Sequence, residues 1–127
     1  MAVVVGFIPT PVGFEALDAA LAEATQRGGP LIVVNVIRPG DEADPRHAHP
    51  GDLDAAADRL RGAPVRVDIR QEQAQHDISE VLLDLVETER AELLVLGIRR
   101  GRDLGAHLLG ITSQKLLLSV PCDVLVV

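Results

Sequence analysis

Aromatic residues are nearly absent from this chain of 127 residues. It contains no Trp and no Tyr, and Phe7 and Phe14 are its only aromatic side chains. Proteins that bind single-stranded nucleic acids commonly stack the bases on aromatic rings, and this chain offers no such platform. Its formal net charge is -7, whereas proteins that bind nucleic acids or membrane surfaces generally carry an excess of basic residues. We therefore expect no nucleic-acid partner and no membrane partner.

Cysteine and long apolar runs are also scarce. Cys122 stands alone, so the chain can form neither an internal disulfide nor a Cys-based zinc site. Nothing near Cys122 suggests a nucleophile, and we expect a small buried hydrophobic residue there. The longest apolar runs are too short to span a bilayer, and the opening MAVVVGFIPT lacks the basic region and long apolar stretch of a secretory signal. The expected compartment is the cytoplasm.

The residues that are plentiful are aliphatic, and they occur in short runs. Continuous runs of Val, Leu, Ile and Ala are typical of a parallel sheet that is buried on both faces. They predict strands over residues 2–7, 31–37, 93–96 and 123–127, and the alternation of apolar and charged residues over 65–70 predicts a half-exposed strand at an edge of the sheet. Helical spacing and capping residues predict helices over residues 13–27, 52–61 and 111–119, and a further helix that begins after Asp77.

Strands and helices thus alternate along the chain. This alternation predicts an α/β fold with a doubly wound, five-stranded parallel sheet, in the order 3-2-1-4-5, and helices on both faces. The length suits one domain that spans residues 1–127. The strand order reverses between strands 1 and 4, so a ligand is expected there, over the loops after Phe7 and Leu96.

A loop rich in glycine and arginine follows the fourth strand. It contains Gly97, Gly101, Gly105 and Gly110 together with Arg99, Arg100 and Arg102. Glycines allow a close backbone approach to a ligand, and arginines can hold anionic oxygens by forked hydrogen bonds. The same arginines could instead form a solvated surface loop, as charged runs usually do. The loop's position at the carboxyl edge of the sheet favours a functional role.

Two long segments resemble one known family. AELLVLGIRRGRDLGAHLLGITSQKLLLSVPCDVLVV and VVVGFIPTPVGFEALDAAL are similar to the corresponding parts of the universal stress protein family. The resemblance implies a five-stranded α/β fold, binding of ATP or AMP in many members and no established enzymatic activity in most. It also implies a homodimer formed through the last strand, here residues 123–127.

The family's nucleotide-binding motif, G-x2-G-x9-G-[ST], is only partly kept. Gly97 and Gly110 match its first and third glycines, but Arg100 replaces the second glycine and Ile111 replaces the hydroxyl residue. The Asp that follows the first strand in the family's nucleotide binders corresponds to a position near Ile8, and no acidic residue occurs over 6–14. A phosphate could still meet the arginines and the amides at the start of the last helix.

The candidate pocket combines the loops after Phe7 and Leu96 with Val36 of the second strand. We expect apolar or backbone walls from Phe7 and Val36, and anion contacts from the arginines. The full set of candidate ligand-binding residues is Phe7, Ile8, Val36, Gly97, Arg99, Arg100, Gly110, Thr112 and Ser113. We predict no catalytic residue and no metal site. His47 and His49 lie in a Pro-rich acidic stretch that is interpreted as a disordered surface loop.

Three functional hypotheses follow. The first is a cytoplasmic binding and regulatory module that responds to ATP, AMP or another phosphate-containing anion. The second is a nucleotide-free, dimeric interaction protein of the same fold, which the altered motif favours. The third is a weak nucleotide hydrolase, which would need a metal-holding acid beside the glycine loop. Asp103 is the only acid in that loop, so this last hypothesis has the least support.

Overall fold

The computed structural model describes residues 1–98 and 111–127, except for the side chains of residues 111–113. Strands and helices alternate through these residues, as the sequence predicts. Their bounds are β1 (Ala2–Gly6), α1 (Pro11–Arg27), β2 (Leu31–Ile37), α2 (Pro50–Arg59), β3 (Val67–Gln73), α3 (Ile78–Thr88), β4 (Ala91–Leu96), α4 (Ile111–Ser119) and β5 (Asp123–Val126).

The five described strands form one sheet in the order β3-β2-β1-β4-β5. All neighbouring strands run parallel, with Val4 of β1 opposite Ile32 of β2 and Leu94 of β4. The predicted fold class and strand order are therefore confirmed. The half-exposed strand β3 and the last strand β5 are the two edges of the sheet.

Side chains of the central strands alternate between two hydrophobic layers. Val3 and Val5 of β1 pack with α1 and α2, whereas Val4 packs with α3 and α4. Successive residues of a strand point to opposite faces, so one continuous aliphatic run supplies both layers. The helices consequently cover both faces of the sheet, as the sequence predicts. No helix of the described residues has both the length and the apolar character that a membrane span requires.

Proline sets the start of two helices earlier than the sequence patterns indicated. Helix α1 begins at Pro11 rather than at residue 13, and α2 begins at Pro50 rather than at residue 52. Proline suits the first helical position because its missing N–H would have no partner there. Thr10 caps α1 by accepting a hydrogen bond from the Gly13 nitrogen at 3.2 Å. The apolar periodicity alone could not show these first turns.

Strand β3 is shifted along the chain relative to its prediction. It covers Val67–Gln73 instead of residues 65–70. The shift follows from pairing with β2, because the ladder extends from Leu31 opposite Val67 to Ile37 opposite Gln73. Tertiary pairing, rather than the local alternation of apolar and charged residues, decides where this edge strand ends.

Two glycines allow helix α1 to start directly against the ends of β1 and β4. A Cβ atom at Gly13 would lie 1.7 Å from the carbonyl oxygen of Ile8. One at Gly97 would lie 2.7 Å from the carbonyl oxygen of Val12. Both distances are shorter than any real contact of a Cβ atom, so these positions require glycine. The close approach places the start of α1 at the carboxyl edge of the sheet.

Candidate ligand-binding cleft

A cleft of about 140 Å³ opens at the carboxyl ends of β1, β2 and β4. Its floor is the point where the strand order reverses, which is where open α/β sheets bind ligands. The described residues that line it come from three strands, from the loops that follow these strands, and from two helices. They are Gly6, Phe7, Ile8, Val34, Val36, Arg46, Ile78, Leu82, Leu96, Gly97 and Leu116.

Four of the nine candidate residues line this one cleft. Phe7 and Ile8 follow β1, Val36 belongs to β2, and Gly97 follows β4. Arg99, Arg100 and Gly110 lie outside the described residues. The backbone of Thr112 and Ser113 belongs to the first turn of α4, and their side chains lie outside the described part of the chain.

The structure gives two of these residues a second role. The Phe7 ring is buried and packs edge-on against Phe14, with ring centroids 5.2 Å apart and planes at 79°. Aromatic pairs of this geometry stabilise a core beyond their buried area. Gly97 is required because helix α1 packs directly against it. The sequence analysis had explained this glycine only by the close approach of a ligand.

Asn35 joins the loops on the β2 side of the cleft, and the sequence analysis missed it. This fully buried side chain donates through Nδ2 to the carbonyl oxygens of Phe7 and Arg46, each at 2.9 Å. Its Oδ1 accepts from the Ala48 nitrogen at 3.0 Å and from Gln71 Nε2 at 3.1 Å. The signal was present, because Asn35 is the one polar residue in the run LIVVNVI.

The stretch that contains His47 and His49 lies at the surface, as predicted, but it is tied to the sheet at Ala48, so its interpretation as disordered was wrong. Ala48 is buried and hydrogen-bonded to Asn35, and Gln71 Nε2 donates to the Ala48 carbonyl oxygen at 2.7 Å. His49 caps α2, and its nitrogen donates to Asp52 Oδ2 at 2.8 Å. The composition of the loop could not reveal these bonds, because their partners lie in β2 and β3.

Arg46 brings positive charge to the cleft from this same loop. Asp44 accepts hydrogen bonds from Arg46 Nε at 3.0 Å, from Nη2 at 2.7 Å and from the Arg46 backbone nitrogen at 2.8 Å. The side-chain bonds from Arg46 lower the pKa of the Asp44 carboxyl to about 2. The same bonds raise the pKa of the Arg46 guanidinium, which keeps its charge.

Helix α4 is fastened to α3 beside the cleft. Asp77 caps α3 by accepting from the Ser79 nitrogen at 3.1 Å, and it forms an ion pair with Lys115 of α4. The hydrogen bond from Lys115 is the main reason that the pKa of Asp77 is lowered to about 2. Leu116, the next residue of α4, is buried and contributes to the cleft wall.

The described residues contain no group of three His, Cys, Asp or Glu side chains that could hold a metal ion. Cys122 is half-buried rather than fully buried, and it packs against the layer of α3 and α4. Burial raises the pKa of the Cys122 thiol. The position therefore suits a small apolar residue better than a reactive thiolate.

The strand order and the cleft at its reversal define a doubly wound α/β protein of the type that holds ligands at this edge of the sheet. A sequence model of the universal stress protein family matches residues 1–127. A universal stress protein of Mycolicibacterium smegmatis is 36% identical over 125 residues, which covers 98% of this chain and 95% of that protein. The chain belongs to the universal stress protein family, as the sequence resemblance implied.

Solved structures show the same fold. A universal stress protein in complex with cAMP superposes with a TM-score of 0.79 at 23% identity, covering 100% of this chain and 95% of the other. The universal stress protein from Archaeoglobus fulgidus in complex with dAMP has a TM-score of 0.72 at 20% identity, covering 99% of this chain and 96% of the other.

Proposed function

We propose that this protein is a binding and regulatory module that holds an adenine nucleotide, or another phosphate-containing anion, in the cleft. The observation that carries the proposal is the convergence of Phe7, Ile8, Val36 and Gly97, which come from three distant segments, on one cleft at the strand-order reversal. Two structurally similar family members are complexes with cAMP and with dAMP, which supports an adenine nucleotide as the ligand class.

The lining of the cleft suits the apolar face of a nucleobase. Ile8, Val36 and Leu96 present aliphatic side chains, and Gly97 leaves room beside them. Pockets of this kind are mostly apolar and contain a few polar groups that fix the orientation of the ligand. The remaining candidate residues, which follow β4 or begin α4, are proposed as anion contacts: Arg99, Arg100, Gly110, Thr112 and Ser113.

The regulatory step would be conformational rather than catalytic. A ligand bound beside Gly97 would fix the conformation of the segment that follows β4, and a partner protein would sense that change. A ligand shifts such an equilibrium only by its differential affinity for the two states. We propose the cytoplasm as the compartment and assign no catalytic residue.

Calorimetric titrations with ATP, AMP and inorganic phosphate test the proposal. We expect saturable binding of at least one adenine nucleotide. The variant Val36→Glu places a carboxylate in the cleft, where it would repel a phosphate, and should weaken nucleotide binding by about tenfold or more. No heat of binding from any of the three ligands at millimolar concentration would overturn the proposal.

Val67→Glu is the matched control. Val36 and Val67 are both half-buried valines in neighbouring strands, and each packs against one hydrophobic layer. Val67 begins β3 at the amino edge of the sheet, whereas Val36 is near the carboxyl end of β2. Equal losses of nucleotide affinity in both variants would mean that the loss reflects damaged packing and not the cleft.

A dimeric interaction protein is the second candidate, and the β5 edge favours it. Val127 donates to the Leu96 carbonyl oxygen at 2.9 Å and accepts from the Ile98 nitrogen at 3.1 Å, so it faces β4. Because residues alternate along a parallel ladder, the backbone groups of Val124 and Val126 point to the free edge. Unpaired edge groups favour pairing with another chain, and we propose a homodimer through β5 with or without a ligand.

A further inference from the structure

Arg46 was not among the residues predicted for the site. It also differs in charge from the other described residues that line the cleft. Among the lining residues that the structure describes, it is the one with a charged side chain, and the others are aliphatic, aromatic or glycine. Apolar walls attract a nucleotide and the corresponding nucleoside equally, because both contain the same base and sugar. Only a charged or strongly polar group can favour the phosphorylated ligand, because phosphate adds charge and not apolar area.

The backbone of Arg46 is held on both sides. Its carbonyl oxygen accepts from Asn35 Nδ2 at 2.9 Å, and Asn35 is fully buried in β2. Its nitrogen donates to Asp44 Oδ1 at 2.8 Å. The position of the Arg46 Cα atom is therefore fixed relative to the sheet, which lowers the entropy that a ligand contact would cost.

The guanidinium is also oriented, and it keeps free donors. Asp44 accepts from Nε and Nη2, which leaves the donors of Nη1 and one of those of Nη2 for another acceptor. The Arg46 side chain is 63% exposed, so a ligand can reach these donors without breaking the bonds to Asp44. A guanidinium that pairs with a carboxylate on one side can still bind a phosphate on the other.

We infer that Arg46 contacts the anionic group of the ligand and makes the cleft select a nucleoside monophosphate over the corresponding nucleoside. This inference rests on the proposed function, because it assigns a selecting residue to the same cleft. It adds an anion contact on the β2 side to the contacts proposed for the residues that follow β4, since Asn35 ties Arg46 to β2. It is independent of the arginines that follow Gly97 in the sequence.

Paired titrations of AMP and adenosine test the inference. Arg46→Gln removes the charge and keeps a polar side chain of similar length. We expect the dissociation constant of AMP to rise about tenfold or more, as for the loss of a charge-assisted hydrogen bond, while that of adenosine stays unchanged. Arg46→Lys should keep only part of the preference for AMP, because the ammonium keeps the positive charge but has one nitrogen to share between Asp44 and the phosphate.

Arg66→Gln is the control, because Arg66 is exposed and precedes β3 at the opposite edge of the sheet. It should leave both affinities unchanged. An Arg46→Gln protein that binds AMP as the parent does, or that loses AMP and adenosine equally, would overturn the inference and leave the proposed function standing. A parent protein that binds neither AMP nor adenosine would overturn both.

Discussion

The β2 side of the cleft and the β5 edge of the sheet differ in whether their polar backbone groups are hydrogen-bonded within the chain. Around Asn35, the backbone groups of Phe7, Arg46 and Ala48 are bonded within the chain. Along β5, Val124 and Val126 turn their backbone groups outward, and residue Val126 is 38% exposed. A wall with satisfied bonds is preorganised for a small ligand, whereas an edge with open bonds is suited to a second chain.

The two regions also differ in how much apolar surface they expose. Leu118 of α4, the helix that leads to β5, is 88% exposed, and Leu117 beside it is also exposed. Near Asn35, by contrast, the exposed Arg46 side chain is charged and paired with Asp44. Ligand recognition and self-association would therefore use separate parts of the molecule, and each can be disrupted without the other.

The largest effect is expected on the β2 side. Asn35→Leu would remove four hydrogen bonds and leave buried groups of Phe7, Arg46 and Ala48 without partners. Each buried group without a partner costs about 1–3 kcal/mol, so the free energy of unfolding should fall by about 3 kcal/mol or more. Urea titration measures the loss, and the proposed association through β5 should not change, because β5 lies at the other edge of the sheet from β3 and β2.

Gln71→Leu is the control for this change, because Gln71 lies at the rim of the same network. It removes the bonds from Gln71 Nε2 to Asn35 and to the Ala48 carbonyl oxygen. This loss should cost about 1–2 kcal/mol, since the rim is closer to solvent. Equal destabilisation by the two substitutions would show that Asn35 is not the centre of the network.

A smaller effect is expected at the β5 edge. Val126→Pro removes an N–H group that points to the free edge, and proline is tolerated in edge strands with this orientation. The dimer dissociation constant should rise by about tenfold or more, because a symmetric interface loses the bond twice. Sedimentation velocity at micromolar concentration measures the change.

Val126→Thr is the matched control, because it keeps the N–H group and the β-branched shape. It should leave the association almost unchanged. A parent protein that sediments only as a monomer would refute the proposed dimer. A proline variant that dimerises like the parent would place the interface elsewhere.

The smallest effect concerns the Asp44–Arg46 pair. The pKa of Asp44 is lowered from its ordinary value of 3.8 to about 2, mainly by the side-chain hydrogen bond from Arg46. Between these values the unfolded chain takes up a proton that the folded chain does not bind. The stabilisation is therefore complete above pH 3.8 and disappears as the pH falls through about 2.

Urea unfolding of the parent and of Asp44→Asn at pH 5 and pH 2.5 checks this dependence. Because the pair is partly exposed, its contribution should be below about 1 kcal/mol. The parent should lose more stability than the variant between the two pH values. The same loss in both proteins would show that Asp44 does not contribute to the acid sensitivity.

The sequence predicted the sheet because its central strands are unbroken aliphatic runs. Such runs define β1, β2 and β4, and helical periodicity defines α1 and α3, so the strand order followed from general rules of chain connection. The limits of β3 were harder to predict, because pairing with Leu31 and Ile37 sets them. The starts of α1 and α2 were also missed, because Pro11 and Pro50 begin these helices before the apolar periodicity does.

The candidate site likewise has residues that the sequence could predict and one that it could not. Phe7, Ile8, Val36 and Gly97 could be predicted, because the carboxyl ends of parallel strands meet at one edge. Arg46 could not, because it lies in a loop whose composition is typical of disorder. Long-range hydrogen bonds with Asn35 and Gln71 bring that loop to the cleft. Bonds of this kind leave no periodic pattern in a sequence.

The most direct test of the ligand cleft is an amide chemical-shift titration of the labelled protein with AMP. We predict saturable shifts that cluster at Gly6, Ile8, Val36 and Gly97. Gly28, which follows α1 at the opposite edge of the sheet, should stay unchanged. An absence of saturable shifts at millimolar AMP, or shifts that cluster away from the ends of β1, β2 and β4, would contradict the account.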